Sequence, residues 1–441
     1  MNTEYSLGEP GDHGGEDGRE RAILVGLDAA ALSGWDVDES MDELERLLET
    51  AGGRVVARVT QRKQKPDPGY YIGVGKAKEI EALCSATGAD LVVVDDELTP
   101  AQQRNLEETA KVRVIDRTQL ILDIFAQRAA TSEGKLQVEL AQLQYALPRL
   151  TGHGVELSRL GGGIGTRGPG ETKLEVDRRT TRSRIAAVKR EIDDVRQRRG
   201  VQRQRRRDAE LPVVALIGYT NAGKSSLLNA LTGSDVLVED KLFATLDPTT
   251  RRYTMPSGQA VLLTDTVGFI QKLPHHLIVA FRATLEEVVE ADLLLHVVDA
   301  GHPKAVEHCS AVFGVLDEIG AADHPVITVL NKCDLPESAP TIDRLRHSYP
   351  VSVAVSAHTG EGASQLAQMI SDELSGRWIR IDTVLSYNDP MMALIKRKGR
   401  VISEEFREDG VALVAEVDRA VAGQLRKMKS NGAKNVKPVP E

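Results

Sequence analysis

The sequence contains few aromatic residues, few cysteines and no long apolar run. Only 4% of the 441 residues are aromatic, and the three cysteines, Cys84, Cys309 and Cys333, are widely spaced. This spacing fits no metal-ligand pattern and indicates a reducing compartment. No apolar run reaches the ~18 residues that a membrane-spanning helix needs. Residues 1–20 carry six acids and five glycines, unlike a signal peptide. We therefore expect a cytoplasmic protein without a membrane span.

The chain contains enough apolar residues for several hydrophobic cores. It also contains one strongly basic segment. Hydrophobic residues make up 41% of the chain, whose length suits two to four domains. The net charge is −9, yet the segment 178–207 holds 13 Lys and Arg residues against three acids. A local basic segment on an acidic protein is typical of a nucleic-acid contact. A solvated helix face is the alternative.

The most informative motif is a phosphate-binding loop. Residues 218–225 fit G-x-x-x-x-G-K-[ST], after the apolar run 213–217 and before a helical pattern that opens at Ser226. In the order strand, loop and helix, backbone N–H groups and the positive helix end face one point. Lys224 would reach the outer phosphates, and the Ser225 hydroxyl would bind Mg²⁺.

Three later motifs indicate which nucleotide is bound. Asp265-Thr266-Val267-Gly268 closes a second apolar run and suits a carboxylate near Mg²⁺ with a glycine N–H at the γ-phosphate. Asn331-Lys332-Cys333-Asp334 ends a third run, and an acid there can accept the N1–H and 2-amino groups of guanine. Adenine lacks both donors. Ser356-Ala357-His358 follows a fourth run, where a loop backbone could contact the base oxygen. All four motifs lie at strand ends, where ligands bind in open α/β sheets.

These motifs resemble the nucleotide-binding elements of translation-factor-type GTPases. The stretch 242–249, Leu-Phe-Ala-Thr-Leu-Asp-Pro-Thr, is similar to switch I of the Obg–HflX superfamily, and 168–175, Gly-Pro-Gly-Glu-Thr-Lys-Leu-Glu, is similar to the signature loop of the HflX family. The resemblance covers roughly residues 22–375.

The resemblance implies a GTPase that hydrolyses GTP to GDP and phosphate with Mg²⁺. It further implies binding to the 50S ribosomal subunit and its 23S rRNA, so that stalled ribosomes are split or rescued. For Mg²⁺ in switch I, chemistry alone leaves Thr245, Thr249 and Thr250 open, and the resemblance favours Thr245 beside Ser225. Ala244 stands where relatives have another threonine. The residues assigned to GTP are Gly218, Tyr219, Thr220, Asn221, Ala222, Gly223, Lys224, Ser225, Phe243, Ala244, Thr245, Leu246, Asp247, Asp265, Thr266, Val267, Gly268, Asn331, Lys332, Cys333, Asp334, Ser356, Ala357 and His358.

Apolar periodicity predicts an α/β protein of several domains. Short strands alternate with amphipathic helices in the first domain, the second part is a helical hairpin, and the G domain has a mostly parallel sheet. A small α+β domain follows it. The predicted ranges are 1–20 for a disordered tail, 21–128 for the N-terminal α/β domain, 129–207 for the hairpin, 211–375 for the G domain, 376–428 for the C-terminal domain and 429–441 for a second disordered tail.

The hairpin is predicted from two long helical patterns, 118–149 and 174–207, whose leucine and isoleucine stripes would form a seam. The Gly-rich tip between them cannot bury a core but can approach an RNA backbone. A flexible linker is the alternative. The residues we expect to contact RNA are Arg159, Arg167, Lys173, Arg178, Arg179 and Arg182.

The sequence offers no evident catalytic base. Many GTPases place a water-orienting glutamine directly after the DxxG glycine, but this chain has Phe269 there, so we expect slow hydrolysis that a partner stimulates. Two other classes of function remain open. An ATP-driven RNA-remodelling enzyme would need a second nucleotide site in 22–128, where Gly73-Val74-Gly75-Lys76 lacks the full loop pattern. A signalling GTPase recruited to a membrane would need an anchor. We expect a monomer when the protein is free.

Overall fold

The computed structural model describes most of the chain and all of the nucleotide motifs. The described residues are 6–7, 19–28, 36–150, 173–208, 211–234, 241–256, 258, 260–272, 277, 282–375, 378–387, 389–407, 410–418, 421 and 425. The predicted fold class is confirmed: an N-terminal α/β domain, a P-loop domain with a mostly parallel sheet and a small C-terminal sheet domain.

The N-terminal domain is a five-stranded sheet with helices on both faces. Strands β2 to β5 are parallel, and β1 pairs antiparallel with β3, in the order β1-β3-β2-β4-β5. The elements are β1 Ser6–Leu7, β2 Arg21–Asp28, α1 Val37–Ala51, β3 Arg54–Arg62, α2 Val74–Thr87, β4 Leu91–Val94, α3 Pro100–Ala110, β5 Arg113–Asp116 and α4 Arg117–Arg128. The range 1–20 was expected to be a disordered tail, but it contains strand β1, in which Leu7 pairs with Ala57 of β3.

Alternation along the strands explains why both faces of this sheet are covered. In β2, Ala22 and Leu24 face a core shared with α1 and α4, whereas Ile23 and Val25 face a core shared with α2 and α3. Helix starts are fixed locally, as at α3, where Thr99 and Gln102 form a reciprocal capping box.

The hairpin pairs α5, Ser132–Arg149, with the long α6, Lys173–Asp208. The predicted seam is present over part of its length, and its apolar side chains are Leu136, Leu140, Leu143, Ile185, Val188 and Ile192. The single pattern 118–149 is corrected to two helices, α4 and α5. The break has a local cause, because the Thr131 side chain caps α5 by accepting from the Gly134 N–H at 3.0 Å. The predicted tip, 161–170, lies outside the described residues, as does the rest of the Gly-rich loop 151–173 except Lys173.

The G domain is a six-stranded sheet in the order β11-β10-β9-β6-β8-β7, parallel except for the antiparallel edge strand β7. Its elements are β6 Val213–Gly218, α7 Lys224–Thr232, β7 Thr249–Thr254, β8 Ala260–Asp265, α8 Arg282–Val289, β9 Leu293–Asp299, α9 Ala305–Glu318, β10 Val326–Asn331, a 3₁₀ turn at Pro336–Ser338, α10 Ala339–Ser348, β11 Ser352–Ala354 and α11 Ala363–Ser375. The nucleotide motifs follow β6, β8, β10 and β11, so they meet at one sheet edge.

The C-terminal domain is a three-stranded antiparallel sheet in the order β12-β14-β13, with one helix against it. Its elements are β12 Trp378–Leu385, α12 Pro390–Lys398, β13 Gly399–Arg407 and β14 Gly410–Asp418. Strand β13 was not predicted, since its charged sequence lacks a clear alternation. Among the described helices, none has the length and apolarity to cross a membrane.

The N-terminal domain and the G domain share one apolar core and one buried charge network. The fully buried Arg117, at the start of α4, donates to Glu43 at 2.8 and 2.9 Å and lies 3.3 Å from Asp95. The same guanidinium donates to the backbone oxygen of Gln271 at 3.3 Å, just beyond the DxxG motif. Tyr219 of the P-loop also donates its hydroxyl to Glu43. The network therefore joins the two domains at the nucleotide-binding edge.

Replacing Arg117 with alanine should destabilise the folded chain strongly, because Glu43 would stay buried without its cation and Asp95 would keep only Lys272. The expected loss is ~3–5 kcal/mol of unfolding free energy, the scale for breaking a buried ion pair from one side. Urea denaturation of the full chain measures it. The matched control is Arg184→Ala, which removes an ion pair with Glu139 at the protein surface and should leave the urea midpoint nearly unchanged. Equal midpoint shifts in both variants would contradict a special role for Arg117.

Candidate functional site

Two glycines allow the P-loop to turn tightly between β6 and α7. Gly223 has φ = 91°, and Gly218 has φ = 153°. A Cβ atom on Gly218 would lie 2.2 Å from the backbone oxygen of Val297 in the neighbouring strand, and one on Gly223 would lie 2.2 Å from the Asn331 amide nitrogen. Larger residues at either position would therefore push the loop away from the sheet edge.

Lys224 is buried at the start of α7, beneath this loop. Its ammonium donates to the backbone oxygens of Gly218 at 3.2 Å and Tyr219 at 2.9 Å. Burial lowers the pKa of Lys224 to about 8, and Asp265 opposes that shift. These two hydrogen bonds go to neutral carbonyl oxygens. A bound phosphate group would give the Lys224 ammonium a directly contacting anion.

Three side-chain oxygens converge beside Lys224. The Ser225 hydroxyl donates to Asp265 at 2.6 Å, the Thr245 hydroxyl donates to the same carboxylate oxygen at 3.0 Å, and the two hydroxyls lie 3.0 Å apart. Burial raises the pKa of Asp265. A hard divalent cation prefers such oxygen ligands, so the donor set fits Mg²⁺. The other switch I candidates lie elsewhere, since Thr250 bonds to Thr264 within the sheet and Thr249 begins β7.

The DxxG glycine packs tightly against the P-loop. A Cβ atom on Gly268 would lie 2.8 Å from the Thr220 side chain and 3.0 Å from the Lys224 ammonium. Phe269 follows it, 1% exposed, and its backbone bonds to Gly218 and Thr220 at 3.1 and 2.7 Å. The Phe269 side chain therefore belongs to the apolar core.

Asn331 connects the P-loop to the two motifs that we expect to recognise the base, 331–334 and 356–358. Its side-chain amide donates to the Ala222 oxygen at 2.8 Å and accepts from the Ala357 N–H at 3.0 Å. Asp334 is exposed, and a hydrogen bond from the Ser356 hydroxyl lowers the pKa of its carboxyl. An ionised, exposed carboxylate at this position is available to accept donors from a base.

The structure brings together only part of the predicted GTP contacts. The pocket at the P-loop is lined by Thr220, Asn221, Gly223, Lys224, Ser225, Ser226, Lys241, Phe243, Ala244, Thr245, Thr266 and Gly268. The Tyr219 ring instead stacks on His308 with centroids 3.8 Å apart, and Leu246 is buried in the apolar core. The Asp247 carboxylate accepts from Ala130 and Thr131 at the start of the hairpin.

The predicted RNA contacts are only partly within the described residues. Arg159 and Arg167 lie outside them, and Lys173 is the first residue of α6. Arg179 and Arg182 are exposed on the same helix, and Arg178 is half-buried.

A second group of possible ligand atoms lies in the cleft between α1 and the G domain. One atom each from Glu39, His302 and His308 lie within 4.8 Å of one another. Lys304 already contacts two of these three residues. Its ammonium lies 3.7 Å from Glu39, and its backbone N–H donates to His302 Nδ1 at 3.2 Å. We therefore assign no metal to the cluster.

Sequence reasoning missed the residues that tie the site to the N-terminal domain. Lys272, three residues past Phe269 at the missing glutamine position, bonds to Asp95 and lies 2.8 Å from Asp96. Arg117 and Glu43 approach the site from the N-terminal domain. No sequence motif marks such contacts, since the partners lie up to 177 residues apart.

Three family models match consecutive parts of the chain. The model described as "GTP-binding GTPase N-terminal" matches residues 38–126, and "GTP-binding GTPase Middle Region" matches residues 128–206. The model described as "50S ribosome-binding GTPase" matches residues 213–332.

Relatives of known name are similar over most of the chain. A "GTPase HflX" from Caldanaerobacter subterraneus is 50% identical, covering 92% of this chain and 93% of the relative. The "GTPase HflX" of Escherichia coli is 48% identical, covering 82% and 84%. A crystal structure of a GTP-binding protein from Sulfolobus solfataricus with GDP is 24% identical, with a TM-score of 0.42, covering 81% of this chain and 99% of that one.

Nucleotide binding should take up a proton at about pH 8.5, because a bound phosphate raises the pKa of Lys224 from about 8. The sign follows from linkage between protonation and binding. GDP affinity should be greatest below the pKa that Lys224 has in the free protein, and it should fall as the pH rises through the higher pKa that Lys224 has in the complex. Calorimetry in buffers of different ionisation enthalpy counts the protons. Lys224→Met should abolish the uptake while leaving any titration of the base itself. Uptake that persists in Lys224→Met would contradict the assignment.

Proposed function

The chain belongs to the HflX family of GTPases, and we propose that this GTP hydrolase acts on the large ribosomal subunit in the cytoplasm. In this proposal the protein binds the 50S subunit as a monomer, contacts 23S rRNA through its hairpin, and splits or rescues stalled ribosomes. The description of the family model that matches residues 213–332 names the same subunit and supports the proposal.

The observation that carries the proposal is the basic helix α6. It is 36 residues long and carries most of the 13 cations of segment 178–207 in a chain of net charge −9. Its described part packs against α5 through one apolar seam, and Arg179, Arg182 and Lys189 are exposed. An exposed cationic helix on an acidic protein fits a phosphate backbone, and ribosomal RNA supplies one.

GTP and Mg²⁺ would occupy the pocket at the P-loop. Lys224 and the P-loop N–H groups would hold the phosphates, and Gly268 would donate its N–H to the γ-phosphate. Ser225 and Thr245 would bind Mg²⁺ directly, with Asp265 accepting from them or from the ion's hydration shell. The ion would neutralise the charge that develops on the phosphate oxygens. Asp334 would accept both guanine donors and so select GTP over ATP.

Water positioning is the part of the site that the described residues leave incomplete. Phe269 is buried in the core, and the neighbouring Gln271 is 4% exposed, bonds to Tyr219 and Arg117 through its backbone, and is absent from the pocket lining. Neither side chain can orient a water at the γ-phosphate in this arrangement. We propose that a partner, the large subunit, supplies the catalytic group.

The ATP-driven alternative is weakened by what the structure shows around Gly73-Val74-Gly75-Lys76. The Lys76 ammonium is buried and bonds to Glu79 at 2.7 Å, and the Gly73 N–H donates to the Gln61 side chain at 2.8 Å. A lysine already paired in this way is a poor phosphate ligand, so we place nucleotide hydrolysis in the G domain alone.

Hydrolysis should be slow for the isolated protein and rise at least ~tenfold when large ribosomal subunits are added, because the partner completes the site. Phosphate release under multiple turnover measures it. Small subunits serve as the control for non-specific RNA, and Ser225→Ala should remain inactive under both conditions. An isolated rate already in the ~1–100 s⁻¹ range would contradict the need for a partner.

The Gly-rich tip and the basic helix should contribute separately to ribosome binding. Replacing residues 161–170 with a short Ser/Ala linker should leave GTP binding intact and should keep most of the salt-sensitive binding, since α6 remains. It should abolish ribosome splitting, because the tip no longer reaches its pocket. Sucrose gradients with a non-hydrolysable GTP analogue compare the two proteins. Splitting by the replaced protein at the intact level would show that the tip is only a linker.

A further inference from the structure

The switch I segment 242–249 lies between the nucleotide pocket and the junction of α4 and α5. Thr245, at its middle, faces Ser225 and Asp265 in the pocket. Phe243 and Asp247, two residues to either side, point instead into the N-terminal domain and the hairpin. Five consecutive residues thus contact both the predicted Mg²⁺ site and the base of the hairpin.

Asp247 accepts hydrogen bonds from the turn that begins the hairpin. The N–H groups of Ala130 and Thr131 both donate to one carboxylate oxygen at 2.9 Å, and the Thr131 hydroxyl donates to the other. Thr131 is also the residue that caps α5. A carboxylate that receives three donors at the start of a helix is held firmly in position.

The fit around Asp247 requires a glycine in the first turn of α5. A Cβ atom on Gly134 would lie 2.5 Å from an Asp247 oxygen and 3.3 Å from its carboxyl carbon. On the other side of Thr245, the buried Phe243 ring packs edge-on against Phe125 of α4 with centroids 4.7 Å apart. Phe243 also has φ = 55°, a backbone conformation that a bulky residue adopts only when its surroundings hold it there.

We propose that Asp247 is a positioning residue for GTP hydrolysis, which holds Thr245 at the Mg²⁺ site by docking on the Ala130–Thr131 turn of the hairpin. Because Thr245 and Asp247 are two residues apart, Thr245 leaves the Mg²⁺ site when Asp247 leaves the turn. The reverse also holds, since coupling between two sites is reciprocal. A hairpin displaced by its partner would therefore change the affinity for Mg²⁺ and GTP.

This proposal rests on the Mg²⁺ role of Thr245 proposed above, and it does not depend on the ribosome. The contact should favour the triphosphate state, because switch I is ordered through the γ-phosphate and its Mg²⁺. Weakening it should therefore reduce affinity for a GTP analogue and leave GDP affinity nearly unchanged. A change that only loosened the fold would weaken both.

The test uses the full chain with two variants that break the contact from opposite sides. Asp247→Asn replaces one acceptor oxygen with a donor, and Gly134→Ala places a methyl group against the carboxylate without changing any residue of the G domain. Each should weaken binding of a fluorescent non-hydrolysable GTP analogue by about tenfold, the scale of one charge-assisted hydrogen bond. Each should also raise the Mg²⁺ concentration needed for half-maximal binding.

The matched controls are Gly314→Ala and Asp317→Asn in α9. A Cβ atom on Gly314 meets nothing within 4 Å, and Asp317 lies exposed one turn further on. Both controls should bind the analogue as the unmodified protein does. Thermal melts of all variants, read by circular dichroism, identify any that fail to fold. If Gly134→Ala fails to fold, Thr131→Val replaces it as the variant that breaks the contact from the hairpin side.

A double-mutant cycle with Thr245→Ala decides whether Asp247 acts through Thr245. The effect of Asp247→Asn should disappear when Thr245 is already alanine, because the positioned hydroxyl is gone. Persistence of the full effect in that background, or equal losses of GDP and GTP analogue, would overturn the proposal. If Thr245→Ala itself left Mg²⁺ dependence unchanged, the Mg²⁺ assignment of Thr245 would fail, and the positioning proposal would fall with it for that separate reason.

Discussion

The buried guanidinium of Arg117 is the contact on which the arrangement of the two α/β domains depends. It bonds to Glu43, lies beside Asp95, and reaches the backbone of Gln271 in the G domain. A buried cation tolerates little movement, since separating it from its carboxylates costs several kcal/mol. The P-loop and the segment after Gly268 are therefore held against the N-terminal domain as well as against their own sheet.

Both nucleotide-sensing segments of the G domain contact the other domain. The segment after DxxG is held at Lys272, which bonds to Asp95 and Asp96, and switch I is held at Phe243 and Asp247. In a P-loop GTPase these two segments rearrange with the γ-phosphate. Here such a rearrangement must break or remake contacts with α4 and α5. In our proposal, the N-terminal domain and hairpin respond to the nucleotide through these contacts.

Local chemistry explains how much of the molecule could be predicted from its sequence. The P-loop needs glycine at 218 and 223, and buried parallel strands need apolar runs. The motif and the preceding apolar run therefore predicted that Lys224 and Ser225 begin a helix directly after a strand, as the structure has them. Helix α3 likewise begins at a local signal, because Thr99 caps it and Pro100 takes its first helical position. The predicted Mg²⁺ ligand set, Ser225 with Thr245, lies within 3.0 Å, although only family resemblance chose Thr245 among three threonines.

What could not be predicted depends on contacts between distant segments. Strands β1, β7 and β13 lie at sheet edges, where half the backbone is unpaired and charged side chains are tolerated, so their apolar pattern is weak. Asp247 was assigned to GTP because it lies in switch I, yet it bonds to a turn 116 residues earlier. A motif constrains which segment approaches a ligand and not which way each side chain points. Since Thr245 faces the pocket, and Asp247 faces the hairpin, the same five residues satisfy both requirements. A switch I sequence that kept Thr245 but lost Asp247 would therefore keep the hydroxyl and lose the contact that holds it at the pocket.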